Sequence, residues 1–404
     1  MRKASTNLVR DLNRSAVLRL IGREGPISRS EIARRLALSP ATVTAVTRRL
    51  IAAGLVDVVD QAPSRGGRPA ILLGVVGGAA HALGIKLAAD HLVGVRVDLD
   101  ARVVERFEYP FEAARPDALA RLTQILRPHV EAGTTDSPLI LGVGIGVPGV
   151  VDSVDHSVVH SPMLGWHSLA VGELLEERLG IPVLVDNDVN TLAVAGRLYG
   201  RCKDVEHFLT VTIGRGVGLG IIIGGDVYRG AHGGAGEFGH VAVVEDGPLC
   251  ECGKHGCLEA LVADPALVAR AAEEGVIVRG EGIRRLRELA DARDLRAARI
   301  FSEAGGILGR AVAGIVNVLS PQLVLISGEG TQAWPHMASA FQRGLADAVF
   351  PQLSDDAVDL DPCDDGKWAL GAAALVLRAT FVTGLDQQSS DHSIRARLER
   401  VAAL

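Results

Sequence analysis

Residues 239–259, with the sequence GHVAVVEDGPLCECGKHGCLE, hold three of the five Cys of the chain and two His, His240 and His255. Cys250 and Cys252 form a C-x-C pair, Cys257 follows a GKHG turn, and His240 lies ten residues before Cys250, at the far end of a predicted hairpin. One imidazole and three thiolates are a known ligand set for a closed tetrahedral zinc site. Because the three Cys lie within eight residues, closing this loop around a metal costs little chain entropy.

Two other readings of these cysteines are open: buried, inert thiols, or a disulfide that leaves one Cys over. The low Cys content and the odd total argue against a disulfide framework. We therefore predict one structural Zn²⁺ per chain, with ligands His240, Cys250, Cys252 and Cys257.

The composition is that of a globular protein long enough for two or three domains, with 48% hydrophobic and 22% charged residues. Apolar runs are too short to cross a bilayer, and the N-terminal MRKASTNLVRDLNRS lacks the apolar core of a secretory signal. These features predict a cytoplasmic protein with no membrane partner.

The net charge of −6 is distributed unevenly along the chain. Residues 1–72 hold 13 Lys and Arg against 5 Asp and Glu, a net charge of +8, whereas the remainder holds 29 against 43, a net charge of −14. A basic head on an acidic body indicates that the head binds a polyanion and the body does not.

The basic head contains three helical patterns. The first covers residues 13–22, and the second follows Ser28, which with Glu31 has the spacing of a capping box. The third begins with Ser39 as the N-cap and Pro40 at the first helical position. A short helix, a tight turn and a second helix predict a helix-turn-helix.

Two strand-like runs, 55–60 and 70–75, follow the third helix and predict a winged hairpin. Small and Thr side chains can reach base edges in the major groove, whereas Arg side chains hold phosphates or enter a minor groove. The alternative is a small helical module that binds proteins. The predicted DNA contacts are Ser39, Pro40, Thr42, Thr44, Arg48 and Arg49 from the helix, and Arg65 and Arg68 from the wing.

From residue 80 onward, strand and helix patterns alternate, which predicts a two-lobed α/β body with a cleft. The patterns include a pair of hairpins over residues 81–110 and one long helical region over about 265–320. Residues 144–149 match G-x-G-x-x-G, but Pro148 precedes the last Gly, and no matching acidic residue follows about 20 positions on, which disfavours a dinucleotide site.

Several motifs of the body resemble those of the ROK family, which groups sugar-responsive repressors with sugar kinases on an actin/hexokinase-like fold. They are IGVPGVVD (145–152), VDNDVN (185–190), IGRGVGLG (213–220), GAGEFGH (234–240), C-x-C-G-x-x-G-C-L-E (250–259) and ALGAAAL (369–375). The resemblance covers nearly the whole chain, and the head is similar to that of the repressor branch.

The resemblance implies an α/β protein with an N-terminal winged helix-turn-helix domain over residues 1–75. A small ROK lobe over 76–197 follows, with a C-terminal helix over 369–385 packed on it. A large lobe over 198–368 carries the zinc site.

The family also implies the sugar-binding residues, which are Asn187, Asp188, Glu237, His240 and Glu259. Carboxylates with an amide supply the acceptors and donors that sugar hydroxyls need. His240 can bind zinc through one ring nitrogen and offer the other to the sugar. The simpler alternatives are a surface carboxylate for Glu237 and a helix cap for Asp188.

The chain departs from the kinase branch at both phosphate loops. Where family kinases have D-x-G-G-T, the aligned residues 84–90 lack both loop glycines and the Thr, and Arg215 replaces a Thr of the second loop. Added Cβ atoms obstruct close approach of a phosphate to the backbone. The sequence therefore predicts a protein that is not an enzyme and has no catalytic residues.

The predicted function is a transcriptional repressor of carbohydrate uptake or utilisation genes, controlled by a sugar or sugar phosphate bound in the cleft between the lobes. The expected partners are a palindromic or repeated double-stranded DNA operator and a second or further copy of the chain, as a homodimer or homotetramer. The alternative is an ATP-dependent ROK sugar kinase with a DNA-binding head. A repressor titrated by a partner protein is a third reading.

Overall fold

The computed structural model describes residues 6–61, 70–131, 138–152, 157–353, 357–381 and 393–398. The chain divides into two compact units, of which the first comprises residues 1–191 and 369–404 and the second residues 192–368. Within the described ranges, no helix has both the length and the apolar character needed to span a membrane.

The first unit begins with the head, which is a winged helix-turn-helix, as predicted. Its elements are α1 (Thr6–Glu24), β1 (Ile27–Ser28), α2 (Arg29–Leu36), α3 (Pro40–Ala52), β2 (Val56–Gln61) and β3 (Ile71–Val75). The three strands form an antiparallel sheet in the order β1-β3-β2. Helix α1 is longer than the predicted segment 13–22.

Hydroxyl caps define where the two helices of the motif begin. Ser28 Oγ accepts from the backbone N–H of Glu31 at 3.2 Å, and Ser39 Oγ accepts from that of Thr42 at 3.1 Å. The predicted capping box forms only in part, because the Glu31 carboxylate accepts from the guanidinium groups of Arg34 and Arg35 on the next turn. Two charged donors compete better for this carboxylate than a backbone N–H does.

The body of the first unit is built on a five-stranded sheet with the order β11-β7-β4-β5-β6, beside a small sheet with the order β10-β9-β8. The elements are β4 (Ala80–Leu87), β5 (His91–Asp98), β6 (Val103–Pro110), α4 (Ala118–Glu131), β7 (Leu139–Val147), β8 (Val150–Val151), β9 (Val158–Ser161), β10 (Trp166–Ala170), α5 (Val171–Leu179) and β11 (Val183–Asn187). Residues 393–398 are also helical.

The second unit has a five-stranded sheet with the order β14-β13-β12-β15-β16. Its elements are β12 (Phe208–Ile213), β13 (Val217–Ile223), β14 (Asp226–Val227), α7 (Glu259–Val262), α8 (Asp264–Glu273), α9 (Ile283–Asp291), α10 (Leu295–Leu319), β15 (Leu323–Ser327), α11 (Trp334–Ala348) and β16 (Ala357–Leu360). The chain passes between the units within α6 (Asp188–Leu198) and α12 (Asp365–Phe381).

The two five-stranded sheets have the same topology. In each, the first three strands in chain order form an antiparallel meander. The fourth strand pairs in parallel with the first, and the fifth pairs in parallel with the fourth. The body is therefore two copies of one α/β plan, a repetition that the sequence analysis did not detect.

Glycines of the first sheet let α12 pack directly on its strands. A Cβ on Gly144 would lie 1.9 Å from the carbonyl oxygen of Ala372, and one on Gly84 would lie 2.1 Å from that of Ala369. Gly149 adopts φ +109°, which favours glycine. The G-x-G-x-x-G glycines are thus explained by backbone packing and turn geometry, without a dinucleotide.

The prediction of one long helical region over residues 265–320 is wrong, because the region forms the three helices α8, α9 and α10. Gly275 at φ +64° follows the end of α8, and Asp294 caps α10 by accepting from the N–H groups of Arg296 and Ala297. Periodicity alone does not locate such breaks, since apolar spacing continues across them.

Helices α10 and α11 approach each other at glycines. A Cβ on Gly309 would lie 2.2 Å from the carbonyl oxygen of Phe341, and one on Gly305 would lie 2.5 Å from that of Met337. By contrast, a Cβ on Gly314, five residues further along α10, would meet no atom within 4 Å.

We predict that Gly309→Ala and Gly314→Ala have opposite effects on the free energy of unfolding. Gly309→Ala forces α10 away from α11 and should destabilise the protein by about 3 kcal/mol. Gly314→Ala fills empty space, improves helix propensity and should stabilise it by about 0.5–1 kcal/mol. Urea denaturation of both variants measures this, and equal effects would show that the helices do not pack as described.

Candidate metal centre and DNA-binding face

The segment between His240 and Glu259 forms an irregular hairpin that gathers the four predicted metal ligands. Its strands meet at only two isolated bridges, Ala242 with Cys257 and Leu249 with His255. The ligand atoms of His240, Cys250, Cys252 and Cys257 all lie within 4.8 Å of one another. The cluster could therefore hold a metal ion.

The distances within the cluster fit a tetrahedral ion. His240 Nδ1 lies 3.5 Å from Cys250 Sγ, and the sulfurs of Cys252 and Cys257 lie 3.7 Å apart. A tetrahedron with Zn–S of ~2.3 Å and Zn–N of ~2.0–2.1 Å has edges of about 3.6 Å between S and N and about 3.8 Å between two S. The four side chains are thus arranged as zinc ligands would be.

The pKa values of the three thiols are shifted in different directions. Burial raises the pKa of Cys250 to about 12 and also raises the pKa of Cys257. The pKa of Cys252 is lowered, chiefly by a hydrogen bond from the backbone N–H of Lys254. Metal binding to this cluster must displace thiol protons, and it is therefore coupled to proton release.

Two of the predicted sugar-binding carboxylates lie beside the imidazole of this cluster. Glu237 Oε2 is 3.8 Å from His240 Nε2, and Glu259 Oε1 is 4.0 Å from His240 Nδ1. The Nδ1 atom faces the sulfurs, which leaves Nε2 directed toward Glu237. Although 44% of the Glu237 side chain is exposed, burial of its remainder raises the pKa of its carboxyl, nearby Glu259 adds to this effect, and His240 opposes it.

Glu259 is fixed in place by the turn between β12 and β13. Its Oε2 atom accepts from the backbone N–H of Val217 at 2.9 Å. The same oxygen would lie 2.7 Å from a Cβ on Gly216 and 3.2 Å from one on Gly239. Gly216 therefore leaves room for this carboxylate, whereas a Cβ on Gly239 would first meet the carbonyl oxygen of Val217.

In the first unit, Asn187 and Asp188 lie where β11 leads into α6. Asn187 Oδ1 accepts from the N–H groups of Val189 and Asn190, and its Nδ2 donates to the carbonyl oxygen of Gly149 at 3.0 Å. Asn187, rather than Asp188, therefore provides most of the N-terminal capping of α6. Asp188 is partly buried, and its Oδ1 accepts from the N–H of Val189 at 2.9 Å.

Two further carboxylates lie near the same turn of the second unit, and sequence analysis missed both. Glu329 Oε2 would lie 2.7 Å from a Cβ on Gly214, and the backbone N–H of Asp264 donates to the Gly214 carbonyl oxygen at 2.8 Å. Burial raises the pKa of Asp264 to about 6, with a further contribution from Glu329, whereas Arg287 opposes the shift. The only signal in the sequence was a Glu between two glycines after a buried strand.

Helix α3 presents a polar face to solvent. Ser39, Pro40, Thr44, Arg48 and Arg49 are exposed and Thr42 is partly exposed, as a recognition helix requires. The hydroxyl of Thr44 donates to the carbonyl oxygen of Pro40 at 2.8 Å, and that of Thr42 lies 2.8 Å from the Ser39 hydroxyl. The predicted wing residues Arg65 and Arg68 lie outside the described residues.

The buried face of α3 differs from the prediction at two positions. Val43 and Leu50 are buried as expected, but Val46 is only partly buried and Thr47 is fully buried. Thr47 accepts a hydrogen bond from Arg29 Nε at 2.9 Å, which ties α2 to α3. A buried Thr is tolerated because its hydroxyl is paired.

Comparisons with known proteins agree with this architecture. Residues 10–57 match the winged helix-turn-helix DNA-binding model, and residues 82–379 match the ROK family model. The chain is 31% identical to the DNA-binding transcriptional dual regulator NagC of Escherichia coli K12 over 383 residues, covering 93% of this chain and 94% of NagC. It is 27% identical to the xylose repressor of Bacillus spizizenii over 377 residues, covering 93% and 97%.

A solved structure described as a ROK family transcriptional regulator, homolog of E. coli MLC protein, matches with a TM-score of 0.81 and 26% identity, covering 97% of this chain and 99% of that one. The match includes both the head and the body. The chain therefore belongs to the ROK family and joins a winged helix-turn-helix head to a ROK body.

Proposed function

We propose that this protein is a sugar-responsive transcriptional repressor. The observation that carries the proposal is the exposed polar face of α3 on a basic head, joined to a body of the ROK family. Relatives that match almost the whole chain are named as a transcriptional regulator and as a xylose repressor. Operator binding would place the protein in the cytoplasm of a bacterial cell.

The proposed effector is a sugar or sugar phosphate bound by Asn187, Asp188, Glu237, His240 and Glu259. Asn187 and Asp188 belong to the first unit and the other three to the second. That both sets contact the same sugar is implied by the family resemblance. Within the second unit, the proximity of Glu237, His240 and Glu259 supports the proposal, because adjacent carboxylates and an imidazole suit neighbouring hydroxyls.

The proposed metal is one structural Zn²⁺ per chain, held by His240, Cys250, Cys252 and Cys257. Zinc would fix the hairpin from which Glu237 and Glu259 extend, and the orientation of the His240 ring with it. The near-tetrahedral spacing of the ligand atoms supports this assignment.

We further propose that the body does not transfer phosphate. At the turn between β4 and β5, Ala88 and Ala89 add Cβ atoms, and the N–H of Ala88 is already bonded to the carbonyl oxygen of His91. At the turn between β12 and β13, the carboxylates of Glu329 and Glu259 lie against Gly214 and Gly216, on either side of Arg215. Like charges at such short range oppose the approach of a polyphosphate.

The alternative is an ATP-dependent sugar kinase with a DNA-binding head, because the ROK family includes kinases. Asp188 carries the carboxylate that could act as a base toward a sugar hydroxyl. A coupled phosphorylation assay with common hexoses, pentoses and amino sugars distinguishes the two functions: turnover would establish the kinase.

The proposed DNA partner is a palindromic or repeated operator bound by a homodimer or homotetramer. One small head buries too little surface for tight specific binding, and a second head doubles that surface. Arg65 and Arg68 remain proposed wing contacts to the groove or backbone.

For the metal, we predict that Cys252→Ser loses most of the bound zinc and melts at a lower temperature, because one of four ligands is removed. Cys202→Ala is the control, since Cys202 is buried outside the cluster and should keep its metal. Elemental analysis of the purified variants measures zinc per chain. Full zinc content in Cys252→Ser would show that the ligands are misassigned.

For Asp264, we predict a pH-dependent difference in stability between wild type and Asp264→Asn. The raised pKa means that the folded state holds this proton more tightly than the unfolded state, so the wild type loses stability as the pH rises from about 4 to about 6. The variant lacks this loss, which should be on the order of 2 kcal/mol. Urea denaturation across this range measures it.

A second variant tests the cause of that shift. Glu329→Gln removes the neighbouring negative charge, so it should lower the pKa of Asp264 and move the loss of stability to lower pH. An unchanged pH profile in Glu329→Gln would mean that the two carboxyls do not interact, and an unchanged profile in Asp264→Asn would mean that Asp264 does not cause the loss.

For the proposed function, we predict that Asp188→Ala keeps operator affinity but no longer responds to the effector. Arg48→Ala should have the reverse phenotype: it loses a phosphate contact, weakens operator binding and flattens its salt dependence, yet still binds sugar. Fluorescence anisotropy with a labelled operator and a thermal-shift screen with sugars measure the two properties.

The two variants serve as controls for each other, because each should change one property, sugar response or operator binding, and leave the other intact. A sugar at about 100 times its Kd should stabilise wild type and Arg48→Ala by ~2.7 kcal/mol, but not Asp188→Ala. If folded Asp188→Ala still releases the operator at wild-type sugar concentrations, the proposed effector site is incorrect.

A further inference from the structure

The small sheet of the first unit contains a β-bulge that neither the sugar site nor the DNA-binding face explains. Strand β9 pairs antiparallel with β10, with Ser161 opposite Trp166 and Val159 opposite Leu169. Between these pairs β9 has one residue, His160, whereas β10 has two, His167 and Ser168. The extra residue on one strand is what defines a bulge.

Three polar side chains at the bulge are exposed to solvent. Ser161, Trp166 and Val159 are buried and Leu169 is partly buried, so the pairs on either side of the bulge point inward. His160, His167 and Ser168 are all exposed. Ser168 has φ +50°, a conformation that non-glycine residues seldom adopt.

The two imidazoles have the separation that a shared metal ion requires. Their ring centroids lie 5.3 Å apart, with the ring planes inclined by 53°. Two imidazoles bound to one tetrahedral ion at metal–nitrogen distances of ~2.0–2.1 Å have centroids about 5 Å apart. Water can complete the coordination, because both imidazoles are exposed.

We propose that His160 and His167 form a second metal site, selective for transition-metal ions such as Zn²⁺, Ni²⁺ or Cu²⁺. Imidazole nitrogens favour these ions, whereas Mg²⁺ and Ca²⁺ prefer oxygen ligands. The site lies in the first unit and shares no residue with the cluster of three Cys and His240. It is independent of the proposed repressor function.

Such a site would link two strands beside the loop that Asn187 holds. His160 also pairs with Val150 of β8, and the preceding Gly149 accepts through its carbonyl oxygen from Asn187 Nδ2. A bound ion would cross-link β9 to β10 at the bulge, the one irregular point of their pairing. The metal would thus stiffen the sheet that adjoins Asn187.

The test is calorimetric titration of the full-length protein, isolated with its own metal and dialysed into chelator-free buffer, with Zn²⁺ and then with Ni²⁺. Wild type should bind one additional equivalent. His160→Ala and His167→Ala should each weaken that event by at least about tenfold. His232→Ala, which removes an exposed histidine of the second unit, should behave as wild type.

A gain-of-function variant provides a second, independent test of the site. Ser168→His would place a third imidazole at the same bulge and should tighten binding of the additional ion by about tenfold or more. Mg²⁺ should produce no such event in any variant. The absence of an additional equivalent in wild type, or its retention in both His160→Ala and His167→Ala, would overturn the proposal.

Discussion

The hydrogen bond between the Glu259 carboxylate and the Val217 N–H joins the metal-ligand hairpin to the sheet of the second unit. Glu259 follows the last cysteine of the cluster by two residues, and its other oxygen lies 4.0 Å from His240. Gly216 leaves the space that this carboxylate occupies. The position of the Glu259 carboxylate, the ring of His240 and the β12–β13 turn are therefore structurally linked.

The repeated sheet topology explains why comparable turns carry the departures from kinase chemistry. By the family resemblance, the turn after the first strand of each sheet is where ROK kinases would bind phosphate, and the two turns of this chain differ from that pattern in different ways. The first turn gains Cβ atoms at Ala88 and Ala89, and the second keeps its glycines but has the carboxylates of Glu329 and Glu259 against them. If the body does not transfer phosphate, as proposed, steric exclusion would act at the first turn and electrostatic exclusion at the topologically equivalent second turn.

The fold of the head is specified by residues that are close together in the sequence, and it could therefore be predicted. Ser28 and Ser39 cap their helices within three residues, and Pro40 starts α3. The caps, the apolar spacing and the basic charge were all readable from adjacent residues. The burial of Thr47 could not be predicted in this way, because it depends on a hydrogen bond from Arg29 in another helix.

The winged helix-turn-helix, the α/β class of the body, the candidate set of metal ligands and the family were all predictable from the order of residues, since each depends on spacing within short segments. The matching topology of the two sheets, the division of 265–320 into three helices, the glycine contacts between α10 and α11, and the carboxylates Asp264 and Glu329 near Gly214 became evident only in the folded chain. The α10–α11 contacts and the approach of Asp264 to Gly214 join residues more than 30 positions apart, and hydrophobic periodicity carries no information about which distant backbones approach each other. The His160–His167 pair lies between these cases, because its histidines are close in sequence but only the bulge brings their rings together.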